Sequence, residues 1–271
     1  MTPALEIILP IRNPGAELAA MVASLAAQTD RRFGVILSDN FSSSGLEHIA
    51  TAEQCLASAG ISVRRLRPPA ALGRIEHWNW AHAQSQAAWL KPLLAGGRLQ
   101  PTYVERLQGC IHERPGARFI RCDAEIQTEW GPETLRAPFA EAAITPTDFL
   151  AYFPARVDWI GNLLGVAYHR VAWLATGGYS VHLPACAALN LNVILALHHG
   201  MENLPERLVT ARFAERHSLN EITGGRVNLW LELWFVMRQA QNYCLATKLP
   251  WPYGGGVRGV WRGQSLRGEA V

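Results

Sequence analysis

The chain lacks any uninterrupted apolar run long enough to cross a membrane, so no spanning segment is predicted. Its start has no basic stretch followed by an apolar run and a cleavage site, so no secretory leader is expected. Charge is sparse: 17% of residues are ionised and the net charge is +3, too little to argue for a nucleic-acid partner. The five cysteines (Cys55, Cys110, Cys122, Cys186, Cys244) are scattered without a CxxC pair, and an odd count argues against a disulfide framework. A reduced, cytoplasmic compartment is the expectation. There is no P-loop and no G-x-S-x-G nucleophile elbow. Glu76, His77 and His82 do not make the HExxH zinc spacing. Repeats and low-complexity segments are also missing.

Apolar residues, at 49%, and a length of 271 residues suffice for one large domain or a domain with an appendage. Leu5 to Leu9 form a β-branched apolar run that stops at Pro10. Leu18, Met21, Val22 and Leu25 then recur at helical spacing, with Pro14 suiting the helix start. A second apolar run, Phe33 to Leu37, ends in Ser38-Asp39-Asn40. Helices are predicted over 46–59, 76–89 and 101–111, and strands over 61–66, 89–94 and 117–123. This alternation predicts a mainly parallel sheet covered by helices on both faces. Such sheets bind ligands at the carboxyl ends of their strands. Beyond about Trp130 the pattern loosens to a strand over 163–168, a short helix over 171–175, and helices over 189–199 and 228–246.

The order and spacing of several pieces resemble the family 2 glycosyltransferases of the GT-A fold. These pieces are Pro10 and Asn13 after the first strand, Ser24-Leu25-Ala26-Ala27-Gln28-Thr29 in the helix, and Asp39-Asn40-Phe41-Ser42 after the second strand. Weaker pieces continue the likeness to about residue 218: Gly73 and Asn79, Ala83 to Trp89, Pro101 and Tyr103, Gly177-Gly178-Tyr179, and Arg216-His217. The resemblance implies a GT-A-type domain over 1–220, followed by a helical extension and tail over 221–271. It implies transfer of a sugar from a nucleoside diphosphate, with UDP favoured, to a hydroxyl of a glycan acceptor, with inversion at the anomeric carbon. Pro10, Ile11, Arg12, Asn13, Asp39, Asn40, Gly73 and Asn79 would then hold the nucleotide. Gly96, Gly97, Gly177, Gly178, Arg216 and His217 would lie around the diphosphate and acceptor. A uracil imide N–H flanked by two carbonyls suits a carboxylate such as Asp39. Asp39 also has a local reading as a turn former before Ser42, and Asn13 as a helix cap.

Two departures from the family pattern stand out. Its acidic motif normally carries Mg or Mn, but Pro101 and Tyr103 fix a register in which Leu94, Gly96 and Gly97 replace the acids. The family's proton-accepting carboxylate should follow the Gly-Gly turn, yet Pro184 to Asn192 contains no acid. Two readings stay open. In the first the enzyme works without metal, and Arg98, or less directly Arg74, Arg212 or Arg216, offsets diphosphate charge. His182 then takes the proton, with His198 and His199 as alternatives. In the second the chemistry is lost and a binding or scaffold role remains. Asp158 and Trp159 could face the acceptor pocket, with core packing the simpler reading for Trp159; Asp123 and Glu125 are the nearest remaining acids to the centre and have no place on the site. The apolar stripe of the last helix (Leu229, Trp230, Leu233, Trp234) is expected to pack on its own domain or form a dimer contact. A peripheral contact at the inner membrane face is the alternative.

Overall fold

The computed structural model describes residues 3–128, 131–153, 159–160, 163–212, 226–249 and 251. Ten strands form one sheet: β1 (Leu5–Ile11), β2 (Gly34–Asp39), β3 (Ser62–Leu66), β4 (Trp89–Pro92), β5 (Gly97–Leu99), β6 (Phe119–Thr128), β7 (Gly131–Leu135), β8 (Ala143–Ile144), β9 (Val166–His169) and β10 (Met201–Arg212). The helices are α1 (Glu17–Ala26), α2 (Leu46–Ser58), α3 (Arg74–Ala83), α4 (Tyr103–Glu113), α5 (Pro146–Tyr152), α6 (Arg170–Ala175), α7 (Ala187–His199) and α8 (Arg226–Thr247). The main path of the sheet is β3-β2-β1-β4-β9-β6-β10-β5.

The first four strands in this path are mutually parallel, with β1 between β2 and β4. Their side chains alternate across the pleat. Leu5, Ile7, Leu9 and Ile11 face the helices α1, α2 and α4, whose buried residues include Leu18, Leu25, Ile49, Leu56 and Leu107. Ile8 and Ile36 face the other way, onto Ala81 of α3. From β4 onward the sheet is mixed. β9 runs antiparallel to both β4 and β6, and β5 is antiparallel to β10.

The second half builds its own core from α5, α6, α7 and α8 against β9. Phe149, Phe153, Trp159, Tyr168, Trp173, Leu191 and Leu195 are buried there. Trp159 is therefore a core residue, its ring lying edge-on to Phe139 and Phe149. α8 buries Val236, Met237, Ala240 and Cys244 in this same core, so one face of that helix packs on its own chain. All five cysteines are free. Among the described residues no helix is long and apolar enough to cross a membrane.

Candidate active site

The carboxyl ends of β1 and β2 lie side by side, Ile11 pairing with Asp39. The loops that leave them are tied together by polar side chains. Asn13, in the left-handed region at φ 48°, accepts from the Ser43 and Ser44 N–H groups through its side-chain oxygen, and its own N–H donates to Ser42 Oγ. Asn40 makes two hydrogen bonds with the backbone of Leu72, at 2.8 and 2.9 Å. Gly73 follows and donates its N–H to Glu76, starting α3. On the same helix Asn79 makes two 2.8 Å hydrogen bonds to the backbone of Tyr179. That contact explains the glycine turn. Gly178 has φ 80°, and a Cβ there would lie 2.5 Å from Asn79 Oδ1. Gln28 does the same work elsewhere, joining the end of α1 to Gln100 and Val104.

Asp39 is 1% exposed and uses both oxygens. One accepts the Ser42 N–H at 2.9 Å and the other the Arg67 guanidinium at 2.5 Å. Burial opposes its ionisation, but the Ser42 and Arg67 hydrogen bonds outweigh that and hold its carboxyl below the usual range. Arg67 is half exposed and sits 5.1 Å over the ring of Phe41. The surface at this strand end is thus a guanidinium on an aromatic ring, anchored by a buried carboxylate. Sequence reading missed Arg67, although it stands at the end of the Arg64-Arg65-Leu66-Arg67 run. Beneath it, His77 of α3 hydrogen-bonds Ser38 at 2.7 Å, and burial lowers its pKa to about 4.

At the other expected positions the chain is built differently. Gly96 has φ 82° and the Arg212 carbonyl lies 2.4 Å from where its Cβ would be. A side chain at 96 would therefore collide with β10. Leu94 and Gly97 supply no donor atom, and among the described residues no group of acids, histidines or cysteines could hold a metal. The residues present do not fit a divalent cation in the register of the family motif. Arg98 is exposed on β5, opposite Thr210 of β10, and its side chain has no hydrogen-bond partner among the described residues. Arg212 meets the 96–97 turn through its backbone. Arg74 is engaged instead: its guanidinium donates to the Pro184 carbonyl and lies 5.0 Å over Trp78.

His182 is exposed, in the loop between the glycine turn and α7. His198 and His199 occupy the far end of α7, about 18 Å along its axis from the loop at 184–186. They are not brought to the strand ends with Asp39. Asp123 is committed to Arg121 at 2.9 Å, and Glu125 to Arg207 at 2.9 Å. Asp158, Arg216 and His217 lie outside the described residues. The carboxylate that does reach the 184–186 loop is Glu232 of α8, which accepts the Ala185 and Cys186 N–H groups at 2.8 Å each.

No protein-family profile and no characterised protein matches this sequence. Solved structures do match its fold. S. aureus TarS in complex with UDP-GlcNAc superposes with a TM-score of 0.71 at 13% identity, over 93% of this chain and 68% of TarS residues 1–349. The same protein with UDP gives 0.68 at 14% identity, again over 93% of this chain and 68% of that one. The fold is that of the GT-A-like glycosyltransferases. A Pyrobaculum calidifontis mannosyltransferase, PcManGT, in complex with GDP-Man and Mn2+, matches at 0.63 and 12% identity, over 89% of this chain and 65% of its own. The chain spans 41% of the longer TarS structure.

Proposed function

We propose that the protein is a family 2-type glycosyltransferase that takes a sugar from a nucleoside diphosphate, most simply UDP, and passes it to a hydroxyl of a glycan. The observation that carries this reading is the Asp39–Arg67 pair at the carboxyl end of β2. A pyrimidine imide offers one N–H between two carbonyls, and a carboxylate beside a guanidinium offers the complementary acceptor and donors. Phe41 gives the ring a flat apolar neighbour. Pro10 to Asn13 and Asn40 wall this position, because their loops are fastened to it. Gly73 and Asn79 extend the same fastening to the glycine turn, where the acceptor would approach. The neighbours solved with UDP, UDP-GlcNAc and GDP-Man support a sugar nucleotide as the ligand class.

No step is assigned to a metal. Fixed cations offset the diphosphate charge in this reading, with the exposed Arg98 as the first candidate and Arg74 and Arg212 after it. A second reading, a binding protein that has lost transfer, draws on the same closed register at Gly96. A melting-point screen separates them. UDP and UDP-sugars raise the Tm in chelator as much as in manganese, because a ligand of the native state stabilises it, and UDP release from a sugar nucleotide is then measured. No Tm shift with any nucleoside diphosphate contradicts the transfer reading and leaves only a scaffold role. A shift without turnover leaves the binding protein.

A further inference from the structure

The segment in which the family's proton-accepting carboxylate is expected, 184–192, has no acid. Space at its start is nevertheless filled by a carboxylate. Glu232 comes from α8, more than 40 residues later in the chain, and is 8% exposed. Its Oε2 accepts both the Ala185 and Cys186 N–H groups. Its other oxygen makes no hydrogen bond among the described residues. A carboxylate turned inward is costly unless its charge is met; the Ala185 and Cys186 N–H groups meet it directly, and Arg74, which makes no ion pair with it, holds the other side of the same loop through the Pro184 carbonyl.

Arg74 links this carboxylate to the nucleotide side. It starts α3, directly after the loop that Asn40 fastens at Leu72. Its guanidinium donates to the Pro184 carbonyl, in the same loop that Glu232 holds from the other side. The glycine turn next to that loop is fastened to α3 by Asn79. Asp39 at the end of β2, Arg67 after β3, Arg74 at the start of α3 and Glu232 of α8 are thus joined through one chain of fastened loops, 40–44, 67–73 and 184–186. By contrast His182 is exposed and its side chain has no hydrogen-bond partner among the described residues.

We infer that Glu232 replaces the missing carboxylate as the proton acceptor, delivered by a different element, and that Arg74 positions it. This rests on the transfer reading above. The step balances simply. The acceptor hydroxyl gives its proton to Glu232 Oε1, and its oxygen pair forms a bond to the anomeric carbon. The bond from that carbon to the diphosphate oxygen breaks, its electrons leaving with the nucleoside diphosphate. The proton on Glu232 then passes to solvent. The bland alternative is that Glu232 only caps the start of α7.

Glu232→Gln separates the two, because an amide oxygen still accepts both N–H groups but is not a base. The probe is UDP release from a panel of UDP-sugars, with water or added sugars as acceptor, alongside UDP titration calorimetry. The expected result is an unchanged Tm and UDP affinity, a kcat lower by roughly 100-fold or more, and loss of the acidic limb of the pH–rate profile. Glu232→Gln turning over within threefold of wild type, with the same pH profile, overturns the assignment and leaves the transfer reading intact. So does a variant whose rate falls only in proportion to a lost UDP affinity. Wild-type protein that binds UDP but never releases it from a sugar nucleotide also overturns the assignment. Wild-type protein that binds no nucleoside diphosphate defeats the transfer reading itself.

Discussion

The two ends of the functional edge are built by opposite strategies. At the ends of β1 and β2 every polar residue is local to the strand it follows, and each ties one loop to the next: Asn13 to 43–44, Asp39 to Ser42 and Arg67, Asn40 to Leu72. Around β5 and the start of α7 the local residues carry no acid at all. There the backbone closes on itself at Gly96 and Arg212, and the carboxylate is imported from α8. At the ends of β1 and β2 the anchoring residues stand directly after their own strands, so the motif is readable although the partners lie about 30 residues away. At the start of α7 the carboxylate comes from a distant helix, so no local motif announces it.

The sharpest way to break this contrast is to place an acid where the resemblance to family 2 glycosyltransferases would put one. Gly96→Asp places a side chain on the Arg212 carbonyl in a left-handed backbone, so a loss of about 2–5 kcal/mol is expected, read as a lower Tm. Manganese does not rescue it. A Gly96→Asp protein of wild-type Tm that gains manganese-dependent turnover would show that the register is an intact metal site merely missing its ligand.

Next in size are the fasteners. Asn79→Ala leaves the Tyr179 N–H and carbonyl unpaired and should cost about 1–3 kcal/mol in denaturant unfolding. Asn40→Ala should cost a similar amount by freeing Leu72. If the nucleotide edge is the more tightly built of the two, Asn40→Ala weakens UDP binding and Asn79→Ala does not. Equal effects on UDP binding would erase the distinction.

Acid should also unfold the protein through its buried histidines. Burial lowers His82 and His77 to about 4 from an ordinary 6.5. Between those values the unfolded chain binds protons that the folded chain refuses, so stability falls as pH drops from 6.5 to 4. For the fully enclosed His82 the slope approaches ~1.4 kcal/mol per pH unit. Lys91 gives the same sign at higher pH. Burial lowers it to about 7 from 10.5, so Lys91 makes stability rise with pH from 7 upward, a rise offset as pH approaches the ordinary thiol range near 8.5, because burial pushes the Cys110 and Cys122 thiols up to about 11 and the unfolded chain then loses protons that the folded chain keeps. Chemical denaturation across pH 4–9 reads both, and Lys91→Met should flatten the upper slope. The smallest effect is that of Arg98→Ala. An exposed arginine without a partner should change stability by no more than about 0.5 kcal/mol, so any loss of UDP affinity in that variant reports on the diphosphate alone.

How much of this was legible varied with how local the cause was. β1, α1 and β2 follow from alternation and helical spacing, and the structure has them within two residues of the expected bounds. β10 was not read, because Pro205 and the charges Glu206 and Arg207 interrupt it. The strand tolerates them at a register shift between Leu204 and Val209, where the pairing with β6 skips. α5 carried a readable signal that was passed over: Thr145 and Asp148 form a capping box around Pro146. The helix expected over 76–89 begins at Arg74 and stops at Ala83, and Trp89 opens β4 instead. Asp39 is legible as the acid that ends the second strand, but its partner Arg67 is not. Nothing in the sequence ties a β2 residue to one 28 positions on until β3 is laid beside β2. Glu232 was illegible for the same reason, since only the packing of α8 on α7 brings it to residues 185–186.

One titration tests the central claim directly. UDP is added to wild-type protein and to Asp39→Ala in a calorimeter, with chelator present throughout. The account predicts binding to the wild type and at least tenfold weaker binding to Asp39→Ala, since losing a charged hydrogen-bonding partner costs about 1.5–3 kcal/mol. Equal affinity in the two proteins, or binding that appears only when manganese is added, would contradict it.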